Sequence, residues 1–182
     1  MSFKINIRLS GTGGQGIISG GIILGEAAVL DGQEVVQTQS YGPEARGGAS
    51  KAEVILSDQP IKYPKVIMPQ YLLLMSQKAA DLYADKVTED GVILVDNSIV
   101  NEMPAVKAQV INVPISQLAR EQIGNILTAN VLAIGALAAI GNLVPLNALE
   151  EATRNRLPKV ADLNVQALKL GWEWGKKALE TK

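Results

Sequence analysis

An alternating apolar run (Ile5, Ile7, Leu9) stops at four closely spaced glycines, Gly11, Gly13, Gly14 and Gly16, and a stretch with helical spacing begins at once. Strand, tight glycine turn and helix start are how an α/β protein brings backbone N–H groups next to a phosphate or another anion. Glycine allows positive φ and removes the Cβ that would block the approach. In the following helix Ile18, Ile22, Gly25 and Val29 share one face, and Gly20, Gly21 and Gly25 let it sit close to a sheet. Gly11, Gly13 and Gly16 satisfy G-x-G-x-x-G. The dinucleotide version of that pattern needs a carboxylate at the end of the second strand for the ribose hydroxyls. Here the second strand, about Glu34 to Thr38, runs into Gln39 and Ser40, which counts against NAD. The same turn also suits a loop that serves only helix–sheet packing.

The rest of the chain continues the α/β pattern. Ser50 to Asp58 alternates Ala52, Val54 and Leu56 with Lys51, Glu53 and Ile55, and follows the second strand with no helix between them. It is therefore expected antiparallel in an otherwise mostly parallel sheet. Gln59 to Pro69 carries three prolines and reads as an extended excursion. Tyr71 to Ser76, Gly91 to Asp96 and Gln109 to Val113 read as strands; Gln77 to Lys86 and Ile115 to Gln122 read as helices. Asp96 and Asn97 lie where open α/β sheets bind ligands, but a plain turn is the preferred reading. Asn125 to Ile140, Leu146 to Arg156 and Lys159 to about Leu179 form a helical C-terminal part, with Pro145 and Pro158 at helix starts. In the last helix Leu163, Ala167, Leu170, Trp174 and Ala178 make one stripe. Val165, Leu168, Trp172 and Leu179 make a second, which suggests a partner surface.

Composition narrows the chemistry. With 182 residues, 47% hydrophobic, the chain suits one globular domain spanning 1–182. A net charge of -1 gives no footprint for nucleic acid. No signal peptide is apparent, and the longest apolar stretch, Ile123 to Ile140, is interrupted by polar residues and falls short of the roughly 20 residues of a membrane span. A cytoplasmic location follows. The chain has no cysteine and no histidine. It cannot hold an iron–sulfur cluster through thiolates, and it lacks the commonest general base and zinc ligand. This inventory suits binding and positioning better than catalysis, and no catalytic residue or metal ligand is assigned.

The most specific segment is SYGPEARGG, Ser40 to Gly48. Arg46, held between proline and glycines and two residues from Glu44, is suited to bidentate bonds with a phosphate or carboxylate. A local Arg46–Glu44 pair that pins the loop is the plainer alternative. GTGGQG with LGEAA behind it, SYGPEARGG leading into a strand, and a late N-x-x-A-x-x-x-G at Asn164, Ala167 and Gly171 together resemble the gamma subunit of 2-oxoacid:acceptor (ferredoxin) oxidoreductases, most closely the 2-oxoglutarate type. The likeness extends over essentially the whole chain.

That resemblance implies a Rossmann-like three-layer α/β domain packed on alpha and beta subunits, near the coenzyme A path. It implies a complex that uses thiamine diphosphate, Mg and [4Fe-4S] clusters held by the other chains, and reduces ferredoxin or a similar acceptor while making an acyl-CoA. This chain alone would bind none of these groups. Carried onto this sequence, the cofactor side would comprise Gly11, Gly13, Gly14, Gln15 and Gly16 in the first loop. The second loop would add Tyr41, Glu44, Arg46, Gly47 and Gly48. A delta subunit and contacts between copies of the chain stay open, as do pyruvate, branched-chain and indolepyruvate substrates. A stand-alone nucleotide-binding dehydrogenase is the reading from another class.

Overall fold

The glycine cluster closes strand β1 (Lys4–Thr12) and opens helix α1 (Ile17–Leu30). In the computed structural model, which describes residues 2–40 and 48–180, the further strands are β2 (Glu34–Ser40), β3 (Ala49–Ser57), β4 (Tyr71–Leu74), β5 (Val92–Asp96) and β6 (Gln109–Val113). They form one sheet in the order β2-β3-β1-β4-β5-β6. β1, β4, β5 and β6 run parallel. β3 is antiparallel to both β1 and β2, as expected for a strand reached without a crossover helix. The chain is thus an α/β fold with a mixed sheet.

The remaining helices are α2 (Gln77–Tyr83), α3 (Ile115–Leu118), α4 (Ala129–Gly141), α5 (Leu146–Arg156) and α6 (Ala161–Glu180). Strand alternation sorts the core into two layers. Leu73, Met75 and Leu94 join α1, α4, α5 and α6 on one face. Leu72, Leu74, Ile93 and Val95 pack with Ala79 and Ala80 of α2 on the other. Every residue of α4 from Ala129 to Ile140 is buried, so the expected buried helix over Ile123 to Ile140 is confined to α4; Gly124 breaks the stretch, and Ile126–Thr128 is a 3-10 turn whose Ile126 and Leu127 are exposed. Among the described residues no helix is long and apolar enough to cross a membrane.

Three expectations are corrected. α1 buries Ile17, Gly20, Gly21, Leu24 and Ala28, while Val29 is 60% exposed and Ile18 and Ile22 are only half-buried. The helix between Ile115 and Gln122 is α-helical only to Leu118; Ala119–Ile123 continues as a π-turn that Gly124 ends. α6 turns neither proposed stripe wholly inward. Its buried face is Asn164, Val165, Ala167, Leu168, Gly171 and Gly175, set against α4. Gly171 exists because α4 is there: a Cβ on it would sit 2.8 Å from the Leu132 carbonyl carbon and 3.1 Å from the Ala136 nitrogen. Asn164 donates to the Val160 carbonyl at 2.9 Å. The late N-x-x-A-x-x-x-G is therefore a helix-packing motif.

The α2 face also holds charge. Arg8 and Glu53 lie opposite each other on β1 and β3. The Arg8 Nε and Nη2 each reach Glu53 Oε1 at 2.8 Å, with the two side chains 6% and 10% exposed. Arg8 Nη2 also donates to the Val66 carbonyl at 2.9 Å, and its guanidinium lies 5.3 Å from the Tyr83 ring centroid. Lys51 Nζ stands 3.3 Å from the same carboxylate oxygen. A buried ion pair thereby pins the proline-rich excursion across the sheet.

Candidate functional site

The C-terminal ends of β1, β4 and β5 meet beside the glycine loop, where open α/β sheets bind their ligands. Gly14 and Gly16 have φ of 87° and 74°, the left-handed region that only glycine enters without cost. Gly16 is the N-cap of α1, and among the described residues no side chain caps the helix; its first turn holds no acidic residue. The first N–H groups of α1 therefore have no partner within the helix and carry the positive end of its dipole.

Gln15 is the strut of the loop. Its Oε1 accepts from the Thr12 N–H and its Nε2 donates to the Met75 carbonyl, both at 2.7 Å. Its carboxamide thus ties the end of β1 to the end of β4 and fills the space that a side chain at Gly11 would take. Asn130 of α4 donates to the Gly16 carbonyl at 3.1 Å, and a Cβ at Gly16 would come within 2.6 Å of that donor nitrogen. Gly11 and Gly16 thus make room for two positioning side chains, whereas the space over Gly14 is open. Gln15→Ala removes two bonds to backbone and is expected to cost about 1–3 kcal/mol. Amide hydrogen exchange should accelerate at Thr12 and in the first turn of α1, and stay unchanged in α5.

Two cavities flank Gly14. A groove of about 420 Å³ is lined by Thr12, Gly13, Gly14, Ile18, Ser40 and Ser50. A cleft of about 280 Å³ on the other side is lined mainly by Gly14, Met75, Ile99, Arg120, Ile126 and Leu127. Asp96 is fully buried beyond it: one carboxylate oxygen accepts from the N–H and hydroxyl of Ser98, the other from those of Ser116. It anchors the turn after β5 to the start of α3, and both its oxygens are committed.

The structure brings Gly11, Gly13, Gly14, Gln15 and Gly16 together with the buried Gly48, next to β3. Tyr41, Glu44, Arg46 and Gly47 lie outside the described residues. Sequence reasoning did not find Asn130, Met75 or Arg120. The signal for Asn130 was present, a lone amide inside an apolar helical run; Met75 acts through its backbone and leaves no signal.

The model of the pyruvate ferredoxin/flavodoxin oxidoreductase family matches residues 6–174. The chain is 48% identical over 180 residues to 2-oxoglutarate synthase subunit KorC of Methanocaldococcus jannaschii, covering 97% of this chain and 96% of that one. To KorC of Archaeoglobus fulgidus it is 40% identical over 182 residues, with 100% and 94% covered. Its fold superposes with a TM-score of 0.85 on the gamma subunit of a keto/oxoacid ferredoxin oxidoreductase from Geobacter sulfurreducens, at 41% identity over 94% of this chain and 98% of that one. The 2-oxoglutarate:ferredoxin oxidoreductase of Magnetococcus marinus shares the fold at a TM-score of 0.86 and 24% identity, over 96% of this chain and 31% of that one. A strand–glycine-turn–helix motif in a mixed sheet, matched from end to end by relatives of the same length, leaves one assignment: the chain belongs to the pyruvate ferredoxin/flavodoxin oxidoreductase family.

Proposed function

We propose that the chain is the gamma-type subunit, a single domain of residues 1–182, of a cytoplasmic 2-oxoglutarate synthase. That complex oxidatively decarboxylates 2-oxoglutarate, joins the remaining acyl group to coenzyme A as succinyl-CoA, releases CO2 and passes the electrons to ferredoxin. The observation that carries this reading is identity of 40–48% over essentially full length to proteins called 2-oxoglutarate synthase subunit KorC. The absence of cysteine and histidine from the sequence supports a division of labour. Thiamine diphosphate, Mg and the [4Fe-4S] clusters would be held by companion alpha and beta subunits, or by a delta subunit.

Within the complex this chain would serve the coenzyme A side. The groove beside Gly13 and Gly14 fits an anionic group: Gly13, Gly14 and Gly16 line it without side chains, and among the described residues no side chain caps the N-terminus of α1. Gly13 and Gly14 would face the ligand, Gln15 would hold their N–H groups in place, and Arg46, between Glu44 and Gly47, would supply the charge. Preformed donors gain affinity because they need no ordering on binding.

The test is a substrate panel on the purified complex, following 2-oxoacid- and coenzyme A-dependent viologen reduction. 2-Oxoglutarate should give the highest kcat/KM; a preference for pyruvate, branched-chain or indolepyruvate substrates would overturn the assignment. Arg46→Ala should raise the KM for coenzyme A in a complex that still assembles. An unchanged KM would remove Arg46 from this role.

A further inference from the structure

The 280 Å³ cleft on the far side of Gly14 has a composition unlike the groove. Met75, Ile99, Ile126 and Leu127 make it apolar, and Arg120 stands at it as a cation. Arg120 is exposed, and among the described residues its guanidinium makes no hydrogen bond or ion pair. The neighbouring carboxylate, Glu121, is turned back along its own helix and accepts from Gln117 at 3.1 Å. Beside the cleft, Leu127 is 74% exposed and Ile126 39%, an unusual position for two large aliphatic side chains at the ligand end of a sheet.

The local backbone keeps these residues in place. The π-turn Ala119–Ile123 carries Arg120. Gly124, with φ of 81°, breaks it off, and Asn125 then caps the 3-10 turn Ile126–Thr128 by accepting from the Leu127 N–H at 2.9 Å. π-turns are rare and are frequently found at functional sites. An unpaired guanidinium, an apolar socket and a protruding leucine are the ingredients of an interface hot spot, where arginine is enriched and anchors fill pockets. The exposed Ile126 and Leu127 decide between occupants: large aliphatic side chains standing outside the cleft are covered by a partner's surface, which a small ligand inside the cleft would not do.

We infer that the cleft is a docking socket for a companion subunit, which inserts one apolar side chain between Ile99 and Leu127 and places a carboxylate on Arg120. The unmatched positive charge fixes the sign of the partner group. This inference rests on the chain being a complex subunit.

The test measures the affinity of the tagged chain for its companion subunits by biolayer interferometry, with thermal unfolding as a fold check. Arg120→Glu and Leu127→Asp should each weaken binding roughly 10-fold or more at unchanged melting temperature. Arg156→Glu, at an exposed site that lines neither cavity, should bind as the wild type does. If Arg120→Glu and Leu127→Asp bind normally, the socket is refuted and the complex stands. If the wild-type chain binds no companion, the complex reading fails first. Normal assembly with a raised KM for coenzyme A would assign the cleft to a small anion and also overturn the docking role.

Discussion

Gly171→Val is expected to destabilise the chain by about 3 kcal/mol, because the contact it disturbs is between two backbones. The new side chain would be driven into the Leu132 carbonyl group and the Ala136 N–H of α4. α4 cannot retreat, since it is buried from Ala129 to Ile140 and also packs against β4 and α1. For a chain of this length the change corresponds to a melting temperature lower by about 6–12 °C. Gly135→Val enters the same contact from the opposite side, against the backbone of Leu168 and Trp172. The two losses should therefore not add. A melting temperature within a degree of wild type for either variant would mean that α4 and α6 do not approach this closely.

Glu53→Ala should cost about 3–5 kcal/mol, since it leaves Arg8 buried with carbonyl groups and the Tyr83 ring but no carboxylate to face. Arg8→Met should cost less, because Lys51 stands 3.3 Å from Glu53 and can keep the carboxylate company. The combination Arg8→Met with Glu53→Leu removes both charges and should be more stable than Glu53→Ala alone. Urea denaturation of the three variants reads this order directly. A double variant as unstable as the sum of the singles would mean that the pair contributes packing and not paired charge.

How far the sequence predicts the fold depends on how each element is covered. α5 has the bounds expected from its pattern, and β3 is antiparallel for the reason given by its short connection. α1 is misread because β2 and β3 lie on one side of it and α4 and α5 on others, so no single apolar stripe marks its inner face. α6 is misread because its buried face mixes Val165 and Leu168 of one stripe and Ala167 of the other with Asn164, Gly171 and Gly175, which hydrophobic stripes pass over. Glu53 and Lys51 look like an outer strand face; the excursion held by Arg8 covers them, a contact 58 residues away in the chain. The glycine loop is legible as a motif, but the division of its glycines is not. Which of them yields space to Gln15 and which to Asn130 depends on Met75 and on α4, both far along the chain.

The central claim is that this chain works as one subunit of a larger oxidoreductase and does not carry the redox chemistry itself. The most direct measurement is to purify the tagged chain gently from its own host without oxygen, then record intact-complex mass spectra and a visible spectrum. The account predicts co-purifying chains with the broad brown absorbance of iron–sulfur clusters, a colour that a cysteine-free chain cannot produce. A colourless chain that comes out alone would contradict it.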